Sequence, residues 1–114
     1  MEINRLVEGI PWIPHPVAAG VTIKPLISSK DHNLNVTCML VKVPIGIEVP
    51  EHIHEKQDDI LYPLKGKALM WVEGAGEFTL EPGIIVRVPT GKKHKIVDVV
   101  EELLIYDVFS PALF

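Results

Sequence analysis

Three histidines in two separated blocks carry the most reactive chemistry in this chain. His52 and His54 stand two apart after Gly46-Ile-Glu-Val-Pro-Glu. An extended backbone sends successive side chains to opposite faces, so the imidazoles of that pair project to the same side. Two neutral imidazoles on one face can bind one cation. Asp59 follows after four intervening residues and Gly66 after six more, so the chain can turn and bring a carboxylate back beside the pair. A second block holds Gly83, Pro89, Gly91 and His94 in that order, with Asp98 beyond. Its imidazole comes from another strand. Imidazoles gathered in an apolar interior each need a partner once stripped of water, and one divalent ion satisfies three together. Nitrogen and oxygen donors with open positions suit Fe(II), Mn(II), Ni(II), Co(II) or Zn(II), without a choice among them.

Strands have to position these groups. Short β-branched runs recur between Gly, Pro, Asn and Asp breaks: Val21 to Ile27, Leu34 to Val43, Ile60 to Leu64, Ala68 to Val72, Glu77 to Leu80, Ile84 to Val88, Ile96 to Val100 and Leu103 to Phe109. That spacing predicts an all-β sandwich or barrel. No helix-period apolar stripe of useful length competes with it, and the 10 prolines would break most candidate helices. Residues 1–20, with Pro11, Pro14, Pro16 and Gly20 around Trp12, read as an N-terminal arm laid against the barrel or a partner. Left free, the arm would expose Ile10, Trp12 and Ile13. Residues 21–114 then form one barrel domain.

Composition narrows the function classes. A chain of 114 residues with 47% apolar content can bury a core without disulfides. The net charge of −4, with Lys92, Lys93 and Lys95 as the one basic cluster, argues against nucleic acid. No apolar run is long enough for a membrane span, and Met1 opens without a secretory pattern. The single cysteine, Cys38, fits a reducing compartment, so a cytoplasmic protein is expected, with Cys38 in the core. Met39 and Met70 fit core positions, and Trp71 fits the core or an interface. Lys92 and Lys93 read as a solvated turn that could attract an acidic substrate. His15 and His32 lack ligand spacing and read as surface or loop residues. Apolar content, the arm and open strand edges favour a homodimer.

The two blocks together resemble the cupin family, whose first motif runs Gly, His-x-His, acid, Gly and whose second runs Gly, Pro-x-Gly, His, Asn. Here residues 67–82 separate them, and the resemblance covers most of the chain. It implies a double-stranded β-helix, the cupin jelly-roll barrel, holding one divalent metal ion through His52, His54, Asp59 and His94. Asp59 stands where the family usually has Glu, with an arm one methylene shorter, and Asp98 stands where it has Asn. Gln57 and Asp58 lie close enough that a one-residue shift of the strand would substitute either for Asp59.

A more particular likeness lies at the carboxyl end. Tyr106-Asp-Val-Phe-Ser-Pro111, with Val21 to Ile27 and Asn33-Leu34, resembles the small cupins of the pectin-degradation type, which convert unsaturated monouronates to linear keto sugars. The resemblance implies that Asp107 and Phe109 line the pocket above the metal. The basic residue that follows in those proteins has no match in Ala112-Leu-Phe114, so a partner for an anionic uronate would come from elsewhere, such as Arg87. The expected ligand is thus a small oxygen-rich molecule such as a sugar acid. The metal would polarise a carbonyl or enol oxygen with Asp107 as general base or orienting group, in an isomerase-like, lyase-like or iron-dependent dioxygenase reaction. The alternative is a non-catalytic module that binds or senses a small molecule.

Overall fold

Two long bent strands organise the chain in the computed structural model, which describes residues 3–114. Met1 and Glu2, the start of the expected arm, lie outside the described residues. The strands are β1 (Ile13–Pro14), β2 (Thr22–Ile27), β3 (Thr37–Val43), β4 (Val49–His52), β5 (Asp58–Val72), β6 (Gly76–Leu80), β7 (Val86–Val88) and β8 (His94–Ser110). A 3-10 turn (Val7–Gly9) precedes them and one helical turn, α1 (Ser29–His32), links β2 to β3. No helix among the described residues is long and apolar enough to cross a membrane.

Strands β5 and β8 pair antiparallel from Asp58 opposite Ser110 to Val72 opposite His94. Their outer neighbours change halfway. Strand β3 flanks Leu103 to Phe109 and β7 flanks Asp59 to Leu61, whereas β4 flanks the start of β8 and β6 flanks Ala68 to Val72. The bent pair therefore forms the middle of two opposed sheets, an all-β double-stranded β-helix.

The bend has a local cause. Between Pro63 and Leu69 the register shifts repeatedly, and Gly66 takes φ +98°. A Cβ there would lie 2.2 Å from the Glu102 carbonyl oxygen, so only glycine allows the approach. The β-branched runs predict separate strands here, Ile60 to Leu64 and Ala68 to Val72, and likewise Ile96 to Val100 and Leu103 to Phe109. The structure instead joins each pair into one strand. Breaks that look like turns are bends, because each strand stays bonded to the other across them.

Alternation then fills the interior. Met39, Val41 and Val43 from β3 meet Leu103, Ile105 and Phe109 from β8, and Met70, Val72, Ile96 and Leu80 close the other side. Each fully buried aliphatic side chain contributes about 1.5–3 kcal/mol. The arm docks on this body rather than fraying. Ile13 pairs with Ile23, the His15 N–H donates to the Val21 carbonyl at 2.9 Å, and the buried Lys24 ammonium donates to the Val7 carbonyl at 3.0 Å. Trp12 packs under the ammonium groups of Lys24 and Lys42, 5.0 and 4.3 Å from its ring centre.

Candidate metal centre

Sheet register brings the first two imidazoles together. His52 ends β4 and His94 begins β8, the two are paired across the ladder, and their ring centres lie 4.1 Å apart. His54 lies just past the end of β4 rather than within it. Its carbonyl accepts from the Gly91 N–H at 2.9 Å, which ties the loop to the second block. Its ring centre sits 5.0 Å from that of His52 and 5.3 Å from that of His94. One nitrogen from each of the three rings falls within 4.8 Å of the others.

Backbone carbonyls set the tautomers. His52 Nδ1 lies 2.8 Å from the Pro50 carbonyl and His94 Nδ1 lies 3.0 Å from the Lys92 carbonyl. A carbonyl only accepts, so each Nδ1 carries the proton and each Nε2 keeps its lone pair. Burial lowers the pKa of His54 from 6.5 to about 4, against a smaller upward pull from Asp59, and burial also lowers that of His52. Both rings are held in the neutral form that ligates a cation.

Alternation along β5 turns one carboxylate toward the imidazoles. Asp58 faces out, where it accepts from the Thr90 N–H at 2.9 Å, the Thr90 hydroxyl at 2.8 Å and the Arg87 guanidinium at 3.1 and 3.2 Å. These bonds hold its pKa below the usual value. Gln57 donates to the Ala112 carbonyl at 3.2 Å. Of the three residues weighed as fourth ligand, Asp59 is the one turned to the imidazoles, its Oδ2 3.5 Å from His94 Nε2 and 3.8 Å from His54 Nε2. Asp107 comes in from the last third of β8, on the same face as Ile105 and Phe109, and is 5% exposed. Burial and the neighbouring Asp59 carboxylate push its pKa well above the usual value. Phe109 stands edge-on to His54 with ring centres 4.9 Å apart.

These groups surround a cavity of about 80 Å³ whose remaining wall is His15 and apolar side chains, including Met39, Val41, Leu61 and Ile105. Three buried atoms in it have no hydrogen-bond partner: Asp59 Oδ1, His94 Nε2 and Asp107 Oδ1. His94 Nε2 is an acceptor by its tautomer, and Asp59 Oδ1 is one in a carboxylate. Each buried polar atom left unpaired costs about 1–3 kcal/mol. A divalent cation matches the lone pairs and negative charge together, so this donor set fits a metal ion. Two larger hollows of about 450 Å³ lie outside the barrel, one beside Gly46, Lys67 and Asp98 and one between the arm and β2. Neither gathers the imidazoles.

One expectation is corrected. Arg87, offered as a partner for an anionic ligand, cannot serve. Val86 and Val88 point inward, so Arg87 points out and pairs with Asp58, its side chain 64% exposed. His15 stands in the loop after β1, as expected, and from there it also lines the cavity. Sequence spacing could not place it there, because the site is reached only through docking of the arm. His32 stays at α1, where its Nδ1 accepts from the Ser28 N–H at 3.2 Å. Trp71, half-buried between the inward Met70 and Val72, lies with the Lys95 ammonium 5.7 Å from its ring centre. Lys92 and Lys93 are exposed.

Comparison with known proteins agrees with this architecture. The family described as Cupin domain matches residues 39–109. Among solved structures, the chain is similar to KdgF from Halomonas sp., with 25% identity, coverage of 93% of this chain and 92% of that one, and a TM-score of 0.78. It is also similar to an RmlC-like cupin from Shewanella frigidimarina, at 21% identity, 99% and 94% coverage and a TM-score of 0.81. Ectoine synthase from P. lautus superposes at a TM-score of 0.85, with 18% identity and 98% and 80% coverage. The last two likenesses are of fold alone. No curated protein matches the sequence.

Proposed function

The chain belongs to the cupin family, and from that premise we propose that it binds one divalent metal ion and acts on a small oxygen-rich metabolite such as a sugar acid. His52, His54, His94 and Asp59 are the ligands in this reading, and Asp107 is the general base. The observation that carries it is the set of unpaired buried atoms, Asp59 Oδ1, His94 Nε2 and Asp107 Oδ1, around one small cavity.

When bound, the ion supplies a Lewis acid for a carbonyl or enol oxygen of the substrate. The protein does the rest. Asp107, buried beside Asp59, takes or returns a proton at the carbon next to that oxygen. Phe109 and the aliphatic wall exclude water from the exchange. A cavity of about 80 Å³ is smaller than the ~150 Å³ that holds a benzene ring. The reacting end of a sugar acid enters it, and the remainder lies at the mouth. The likeness to Halomonas KdgF and the carboxyl-terminal resemblance to the pectin-degradation cupins support unsaturated monouronates as the first substrates to assay.

A non-catalytic binding module is the second reading. The position of Asp107 weighs against it, because burying a carboxyl costs stability unless it has chemistry to perform. The test begins with metal analysis of protein purified without added metal. About one ion per chain is expected, and none in His52→Ala. Asp107→Asn should keep the ion and lose turnover of an unsaturated uronate. A wild-type protein that retains no metal overturns the site, and failure to turn over any uronate with Fe, Mn, Ni, Co and Zn each restored favours the binding module.

A further inference from the structure

The cavity contains no lysine or arginine among the described residues that line it. With Arg87 committed outside, an acidic ligand would meet carboxyls, apolar wall and metal, but no side-chain cation. One further polar group is present. His15, on the arm between β1 and β2, lines the same cavity.

Its tautomer is the reverse of that of His52 and His94. His15 Nδ1 accepts from the backbone N–H of Val17 at 3.1 Å and of Ala18 at 2.9 Å. Both partners only donate, so Nδ1 holds a lone pair and the neutral ring carries its proton on Nε2. Protonating Nδ1 would break both bonds, and burial also lowers the pKa of this ring. His52 and His94 thus offer lone pairs, whereas His15 offers an N–H, which no described residue accepts. His15 also stands outside the group of nitrogens close enough to share one ion. Its mount is rigid. Ala18 and Val21 are each 1% exposed, and the His15 N–H is bonded to the Val21 carbonyl at 2.9 Å.

We propose that His15 is the donor that positions an acidic ligand, its Nε2–H bonding a carboxylate or carbonyl oxygen of a small organic acid held at the metal. The barrel then supplies metal and base, and the arm supplies recognition. This rests on the reading of the three-histidine cluster as a metal site, but not on turnover. A neutral donor suits a site that already holds two carboxyls and a cation, because it adds direction without further charge.

The test uses the full chain loaded with Co(II) and titrated with pyruvate, followed by the visible spectrum of the ion. His15→Phe, which keeps a ring and loses the donor, should bind Co(II) as the wild type does and pyruvate about 10- to 100-fold more weakly, the range for a hydrogen bond to a charged acceptor. His15→Gln, whose amide can both accept and donate, should recover most of that loss. Unchanged pyruvate affinity in His15→Phe overturns the proposal, as does loss of Co(II) along with pyruvate, which would make His15 a ligand. A wild type that binds Co(II) but not pyruvate overturns the small-acid assignment. If the wild type takes up no Co(II), the metal reading itself fails. Nitrogen-15 spectra of the metal-free imidazoles decide the donor independently: His15 should be neutral with its proton on Nε2, and a proton on Nδ1 overturns the proposal.

Discussion

Lowering the pH should destabilise the metal-free protein through His54, and the size of the effect follows from its surroundings. Burial takes the pKa of this ring from 6.5 to about 4. Between those values the unfolded chain binds a proton at His54 that the folded chain refuses, so stability is present above pH 6.5 and is lost as pH falls toward 4. At about 1.4 kcal/mol per pH unit, the drop caps the loss at about 3 kcal/mol. Solvent reaching His54 at the cavity mouth screens this to about 2 kcal/mol. The perturbation that isolates it is His54→Gln, which cannot titrate. Urea unfolding of both proteins in chelator, at steps from pH 7.5 to 4, gives the difference in stability at each pH. That difference should shift by about 2 kcal/mol against the wild type across the window and level off below pH 4. A difference constant to within a few tenths of a kcal/mol, or one moving the other way, would refute the reasoning that a partly buried, neutral ring sits at this position.

The barrel and its second carboxyl offer further checks. Asp107 has a folded pKa raised above its unfolded value, so its contribution is fully present below the unfolded pKa and is lost as pH rises through the folded one. Asp107→Asn should therefore raise the urea midpoint of the metal-free protein at neutral pH and flatten its decline above the acid range; a lower midpoint contradicts the burial argument. Gly66→Ala should cost about 3 kcal/mol or more, since a positive φ and contact with the Glu102 backbone add together, whereas Gly74→Ala, at φ +84° with nothing within 4 Å, should cost about 1–2 kcal/mol. Equal thermal shifts for the two would remove the bend at Gly66 as a source of strain. Met70→Ala, at a fully buried position between the sheets, should cost about 2–5 kcal/mol in chemical denaturation, and a loss under 1 kcal/mol would mean that the core is not packed there.

Much of this was legible in the residues. Short β-branched runs between Gly, Pro, Asn and Asp breaks give an all-β chain, and the paired blocks from Gly46 to Gly66 and from Gly83 to His94 name three imidazoles that meet in the barrel. Turn glycines and imidazole spacing are local properties, carried by the chain wherever it goes. The strand count was less legible. Gly66 looks like a turn because glycine serves both turns and bends, and only the partner strand, bonded on both sides of it, distinguishes the two.

The order of residues supplies a list of groups: three imidazoles, a run of Gln57, Asp58 and Asp59, and an acid at 107 near the end. Tertiary structure decided which of them share a space. Asp59 faces inward and Asp58 outward because strand register is set by the whole hydrophobic face, and Arg87 is lost to the exterior by the same alternation. His15 enters the cavity only because Trp12 and Val21 hold the arm against the barrel. Contacts between segments distant along the chain depend on how surfaces dock, and no local pattern encodes that.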